Sequence, residues 1–114
     1  MSDPDNPQPL TEATYLILLS LAAGEKHGYA ILKDVEHLSE GRTVFSTGTL
    51  YGALSRMLER GWIERREEAD ADSGGPPKKT YALTGQGRGV VEAETRRMQS
   101  LVAAAALRLS GSGA

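Results

Sequence analysis

Residues 46–60 bring together short hydroxyl side chains, two glycines and two arginines in one predicted helix. Hydroxyl, backbone N–H and guanidinium groups donate hydrogen bonds to phosphates and to base edges. Small residues also let a helix backbone approach another surface closely, and Glu59 is the one acidic residue in this segment. The composition favours a DNA recognition helix, with predicted contacts from Ser46, Thr47, Gly48, Thr49, Tyr51, Gly52, Ser55 and Arg56.

The opposite face of the same segment is apolar, with leucine or methionine at positions 50, 54, 57 and 58. This spacing predicts a helix that is buried along one stripe. Ser46 is placed to cap its first turn, and Gly61 to end it where a positive φ is needed. The alternative is an amphipathic helix whose polar side only faces water, because helix, turn and strand follow one another in many folds.

The charge distribution permits contact with DNA, although the chain of 114 residues has a formal net charge of −2. Residues 1–41 sum to −5, whereas residues 42–63 sum to +2. The Debye length at physiological salt is about 8 Å, so the charges nearest to a contact count most. The recognition segment therefore lies in a locally basic part of an acidic protein.

The composition predicts one soluble globular domain, because 39% hydrophobic and 25% charged residues are ordinary for that class. The first nine residues hold three prolines and lack the basic head and apolar core of a signal peptide. No apolar run approaches the ~20 residues that a membrane helix needs. We therefore expect a cytoplasmic protein in which residues 1–9 form a disordered tail.

Two helices are predicted before the recognition segment. Thr11 is placed as an N-cap, and residues 13–23 are apolar almost all round. Such a helix needs cover on every side, either from a second copy of the chain or from its own domain. Residues 29–38 predict a second helix, with buried positions 31, 32, 35 and 38. This helix, the connection at 39–45 and the third helix make a helix-turn-helix pattern.

A β-hairpin is predicted directly after the recognition segment. Residues 62–68 and 78–83 form its strands, and residues 69–77 between them are dense in turn formers. A hairpin in this position is a wing. Lys78 and Lys79 lie just past the turn and are predicted to contact backbone phosphates, with plain solvation as the alternative. Trp62 is predicted to anchor the wing in the core.

The last predicted helix has a line of residues, here called the seam, that is spaced for packing against another helix. Thr84 is placed to cap it, although glycines at 85, 87 and 89 weaken its first turns. Six later residues alternate four and three apart, which is the period of helix–helix packing. They are Val91, Thr95, Met98, Val102, Ala105 and Leu109. No later segment is left to cover this seam, so it predicts a dimer interface; packing back on the first helix is the alternative.

Enzymatic and metal-dependent functions find no support in the sequence. His27 and His37 share no helical face and have no acidic or cysteine partner at ligand spacing. The glycines at 85, 87 and 89 lack the spacing and the lysine of a phosphate-binding loop. No nucleophile is paired with a base. We therefore expect no catalytic activity, no metal and no cofactor.

The order of these elements predicts a mainly α fold with a small β-hairpin, that is, a winged helix-turn-helix followed by a long C-terminal helix. The winged helix-turn-helix domain is expected at residues 10–84, the dimerisation helix at 85–109 and a flexible end at 110–114. The predicted sheet is the two-stranded wing alone.

Four segments resemble the PadR family of transcriptional regulators. They are residues 27–31 (HGYAI), 48–54 (GTLYGAL), 61–63 (GWI) and 77–84 (PKKTYALT). The similarity extends over roughly residues 10–100, and the short C-terminal part looks like that of the compact subgroup with a single last helix. Thr47 departs from the pattern, because the family often has proline there.

The resemblance implies a homodimer joined through the last and first helices, which adds Tyr15, Leu16 and Leu19 to the predicted interface. It also implies a repressor that binds an inverted-repeat operator in double-stranded DNA and is released by a small-molecule effector. Some compact relatives bind flat aromatic molecules between their dimerisation helices, but the last helix here has no aromatic residue. A winged helix that binds a protein partner and no DNA is the alternative function.

Overall fold

The computed structural model of the chain describes residues 9–68 and 78–111. The elements are α1 (Glu12–Ala22), β1 (Lys26–His27), α2 (Gly28–Leu38), α3 (Thr47–Glu59), β2 (Ile63–Glu68), β3 (Lys78–Leu83) and α4 (Gly85–Gly111). The predicted turn at 69–77 lies outside the described residues, as do most of the predicted tail and flexible end. The architecture is mostly helical α+β with a small antiparallel sheet, which confirms the predicted fold class.

The first helix, α1, is the centre of the core. Thr11 caps it, because its hydroxyl accepts a hydrogen bond from the Thr14 N–H at 3.1 Å. Leu16, Ile17, Leu18 and Leu21 are buried against α2, α4 and β3 of the same chain. The domain itself therefore covers most of this apolar helix, which was one of the two alternatives left open by the sequence.

The helices α2 and α3 bury most of the apolar stripes that were predicted for them, although positions 32 and 58 are only half-buried. Ile31 and Val35 are fully buried, whereas Leu38 is 40% exposed. The α2 helix ends there, and Glu40 and Gly41 both adopt a left-handed conformation, with φ of 54° and 81°. The prediction that Leu38 is buried is therefore wrong: α2 ends at this residue, and the next residue, Ser39, takes the buried position instead.

Four residues of α3 are buried, namely Leu50, Ala53, Leu54 and Met57. Burial of a leucine or methionine side chain contributes about 2 kcal/mol to stability. Gly61 ends this region with a φ of 75°, as predicted from its position. One face of α3 is thus held in the core, and its direction is fixed relative to the wing that follows.

The sheet has three strands in the order β1-β3-β2, all antiparallel. In the hairpin, Ile63 pairs with Leu83 and Glu67 pairs with Lys79. The short strand β1 was not predicted; its two residues pair with Tyr81 and Thr80 on the other side of β3. Two residues are too few to show the alternation that marks a strand in sequence.

The start of α4 is packed tightly against the end of the wing. The Gly87 N–H donates to the Thr84 hydroxyl at 3.0 Å, which confirms the predicted cap. A Cβ at Gly87 would overlap the backbone carbonyl group of Trp62 and lie 2.9 Å from a methyl carbon of Leu83. Trp62 itself packs on the core, as predicted, with the Arg60 guanidinium 5.0 Å from its ring centroid. This glycine therefore lets α4 approach the wing, even though it weakens the helix start.

The helix α4 divides into a packed half and an exposed half. Val91 is buried, and the Thr95 hydroxyl lies 2.7 Å from that of Tyr15 on α1. Residues 99–111 are all exposed. The first half of the predicted seam therefore packs back on α1, and the second half extends away from the domain. Among the described helices, none combines the length and the apolar character needed to cross a membrane.

A buried carboxylate joins the start of the domain to α4. The Arg97 guanidinium donates to both Glu94 carboxylate oxygens, at 2.7 and 2.9 Å, and the Leu10 N–H adds a bond of 2.9 Å. The guanidinium bonds chiefly lower the pKa of Glu94; burial opposes the shift, and the Leu10 N–H and the positive charge of Arg97 reinforce it. Only 8% of the Glu94 side chain is exposed.

Replacing Glu94 by glutamine is expected to lower Tm by a few degrees at pH 7. Because the pKa of Glu94 is lower in the folded than in the unfolded chain, its stabilisation is present above the unfolded pKa of about 4.3 and is lost as the pH falls through the folded value. Thermal unfolding of both proteins between pH 7 and pH 3 checks this. The difference in Tm should shrink in the acid range, and a difference independent of pH would contradict the assignment.

Candidate nucleic-acid interface

The first turn of α3 presents its hydroxyl groups at the surface. The Ser46 hydroxyl accepts a hydrogen bond from the Thr49 N–H at 3.1 Å and lies 2.9 Å from the Thr49 hydroxyl oxygen. Ser46 is therefore the N-cap, as predicted, and it fixes the Thr49 side chain. The exposed predicted residues are Ser46, Thr47, Gly48, Thr49, Tyr51, Ser55 and Arg56, whereas Gly52 is half-buried.

Arg56 is exposed on the surface of α3. One of its terminal nitrogens, Nη1, lies 3.7 Å from the position that a Cβ on Gly52 would occupy, so the guanidinium lies back over this glycine. In the described part of the chain, the Arg56 side chain forms no ion pair and no hydrogen bond.

The two wing lysines lie on opposite faces of the hairpin, because side chains alternate along a strand. Lys79 shares a face with Tyr81, which contacts Tyr51 of α3 with ring centroids 6.5 Å apart. Lys78 shares the other face with Thr80. Both lysines are exposed, but only Lys79 is on the face that meets α3.

The arginines of β2 are held by acidic residues of the same chain. The Arg66 guanidinium lies 2.6 Å from the Glu64 carboxylate and 3.1 Å from that of Glu25. The hydrogen bond to Glu64 is the main cause of the raised pKa of Arg66. Arg65 lies 3.9 Å from Glu67. Lys79 differs from them, since among the described residues its ammonium has no acidic partner.

Two residues that support this interface, His27 and Gly28, were not among the predicted contact residues, although both lie in a segment that resembles the family. His27 pairs with Thr80 in the sheet, and its Nδ1 lies 3.0 Å from the backbone carbonyl oxygen of Lys79. Gly28 begins α2 directly beneath the Tyr51 hydroxyl. Burial raises the pKa of the neighbouring Tyr81 phenol, the nearby Tyr51 adds to this, and Arg65 opposes it. Only the structure brings these residues together.

The residues predicted for the dimer interface fall into two groups. Leu16 and Val91 are buried in the core of the chain itself, which leaves little of their surface for a partner. Tyr15, Leu19, Thr95 and Met98 are half-buried, whereas Val102, Ala105 and Leu109 are exposed. The exposed members lie on one side of α4, as their spacing requires.

Comparison with known proteins identifies relatives of this chain. Residues 17–93 match the transcriptional regulator PadR-like family. Transcriptional regulator YqjI of Escherichia coli (strain K12) is 36% identical over 104 residues, which cover 85% of this chain and 47% of that protein. An uncharacterized 37.1 kDa protein in transposon TN4556 of Streptomyces fradiae is 34% identical over 90 residues, or 79% of this chain and 24% of that protein. The chain thus spans half or less of these curated relatives.

Solved structures share the fold. A PadR family transcription regulator from Clostridium difficile R20291 has a TM-score of 0.72 and 27% identity, covering 87% of this chain and 99% of that one. Bacillus subtilis PadR in complex with operator DNA has a TM-score of 0.64 and 24% identity, covering 73% of this chain and 46% of that one. The helices α1 to α3 and the β2–β3 hairpin are a winged helix-turn-helix, and the chain belongs to the PadR-like family of transcriptional regulators, which are not enzymes.

Proposed function

We propose that this chain binds operator DNA through α3 and the wing. The observation that carries the proposal is the exposed face of α3, which presents hydroxyls and the Arg56 guanidinium on the side opposite to the one packed in the core. Among the described residues, that guanidinium has no ion-pair partner. The Bacillus subtilis PadR structure, which contains operator DNA, has the same fold. Thr49 and Arg56 are the proposed base contacts, and backbone N–H groups at the helix start are the proposed phosphate contacts.

A homodimer would present this surface twice. Support comes from the second half of α4, where Val102 is 68% exposed and Ala105 and Leu109 lie on the same side. The whole helix of 27 residues is about 40 Å long, so much of it extends beyond the domain. Two-fold symmetry would place two α3 helices in successive major grooves about 34 Å apart, which requires an inverted-repeat operator.

Repression released by an effector is the form of regulation that we propose. An open cleft of 310 Å³ lies between α1 and α4. Leu19, Ala22 and Val91 supply its apolar lining, and Arg88, Glu92 and Arg96 supply charges. A molecule bound there would touch the helix that joins the domain to the proposed dimer contact, so it could change the separation of the two α3 helices.

Fluorescence anisotropy with duplex DNA from the chain's own promoter region tests the proposal. Binding should weaken steeply as salt rises, because lysine and arginine contacts to phosphates release counterions. A winged helix that binds only a protein partner would show no such salt-dependent binding, and that result would contradict the proposal.

Replacing Lys79 by alanine is expected to weaken binding to all duplexes alike and to lower the slope of log K against log salt by about one unit, as for the loss of one phosphate contact. Replacing Arg66 by alanine is the matched control, because that residue is on the opposite face of the hairpin and is engaged by two glutamates. The salt dependence of DNA binding by Arg66→Ala should have the same slope as that of the wild type. Equal slopes for all three proteins would remove Lys79 from the interface.

A further inference from the structure

The Tyr51 side chain occupies a gap between α2, α3 and β3. A Cβ built on Gly28 would lie 2.5 Å from the Tyr51 hydroxyl oxygen and 3.0 Å from the ring carbon that bears it. On the other side, the Tyr51 ring meets the ring of Tyr81 at an interplanar angle of 57°. Tyr51 is 44% exposed, whereas Tyr81 is only 3% exposed. The tyrosine thus packs between two elements and does not extend freely from α3.

A continuous set of contacts connects the recognition helix to the wing. Tyr51 of α3 rests on Gly28, the first residue of α2. The preceding residue, His27, is joined to β3 by pairing with Thr80 and by the contact of its ring with the Lys79 carbonyl oxygen. Two residues after Lys79 in β3, the ring of Tyr81 contacts the ring of Tyr51. The backbone that carries Lys79 is therefore tied to the position of α3.

We infer that Tyr51 is a positioning residue that fixes α3 relative to β3 so that both reach the same duplex. This inference rests on the proposed function and replaces the sequence-based expectation that Tyr51 contacts DNA directly. The packing on Tyr81 is made by the ring, and the room for its hydroxyl is provided by the absence of a side chain at Gly28. If the Tyr51 hydroxyl contacted DNA directly, neither the packing on Tyr81 nor the space above Gly28 would be needed.

Four variants of the full chain test this inference, with affinity for duplex DNA and Tm measured for each. Replacing Gly28 by alanine should displace the Tyr51 ring and weaken binding to all sequences about tenfold, a usual coupling for residues in contact. Replacing Tyr51 by phenylalanine should leave affinity and sequence preference unchanged. The double variant with both substitutions should have an affinity within about threefold of the wild type, because it lacks the hydroxyl that lies closest to the added Cβ. Gly89→Ala, with no atom near its added Cβ, is the control for a glycine-to-alanine change in a helix.

The outcomes separate this inference from the proposed function. If Gly28→Ala binds DNA as the wild type does, or if Tyr51→Phe relaxes the preference at one base pair, Tyr51 is not a positioning residue. The inference is supported if the double variant recovers DNA affinity while its Tm equals that of Gly28→Ala. A purely structural role would change Tm and affinity together. Failure of the wild type itself to bind duplex DNA would overturn the proposed function instead.

Discussion

Replacing Gly87 by alanine should destabilise the domain by about 3 kcal/mol, at the upper end for overpacking, and lower Tm by roughly 10 °C. The new Cβ would overlap the carbonyl group of Trp62, which is backbone and cannot rotate away. The strain can be relieved only if α4 moves off the wing, which would disturb the Thr84 cap. Thermal unfolding followed by circular dichroism measures the loss.

The matched control is two residues farther along the same helix. Gly89 has no neighbour within 4 Å of an added Cβ. Alanine there should leave Tm unchanged or raise it slightly, because alanine is favoured over glycine in a helix by about 0.5–1 kcal/mol. Equal effects at the two positions would show that the contact between α4 and the wing is not tight.

Replacing Val102 by aspartate should separate the proposed dimer and weaken operator binding about a hundredfold, because simultaneous binding of two half-sites is lost. Val102 lies on the predicted seam, and a charge there would have to be buried against the partner helix. Sedimentation velocity reports the dimer, and anisotropy with the operator reports the affinity.

Leu107→Asp provides the control for this change. Leu107 is 77% exposed and lies on the side of α4 away from the seam. The same apolar-to-acidic change there should leave both the dimer and operator binding intact. A monomeric wild type, or dissociation of both variants, would contradict the proposed interface along the seam.

Local chemistry made much of the fold predictable. Ser46, Thr11 and Thr84 are polar residues before apolar periodic segments, and each one caps the helix that follows it. Gly61 after the last turn of α3 indicated a positive φ correctly. These features depend on residues close in sequence, so sequence patterns reveal them.

Features that depend on distant residues could not be predicted in this way. Pairing of β1 with β3, the close approach of Gly87 to Trp62 and the position of Gly28 under Tyr51 arise only when the elements pack. The periodicity of α4 predicted a seam, but it could not show that the first half of this seam packs on α1 and that the second half is exposed. The candidate site was therefore predictable as a helix face, whereas the residues that hold this face in place were not.

Selection of bound sequences from a pool of random duplexes tests the central claim, which is that two α3 helices read DNA together. The expected product is an inverted repeat with half-sites about 10 base pairs apart, or a multiple of this spacing, bound with a strong dependence on salt. Recovery of no preferred sequence, or of a single asymmetric site bound by one chain, would contradict it.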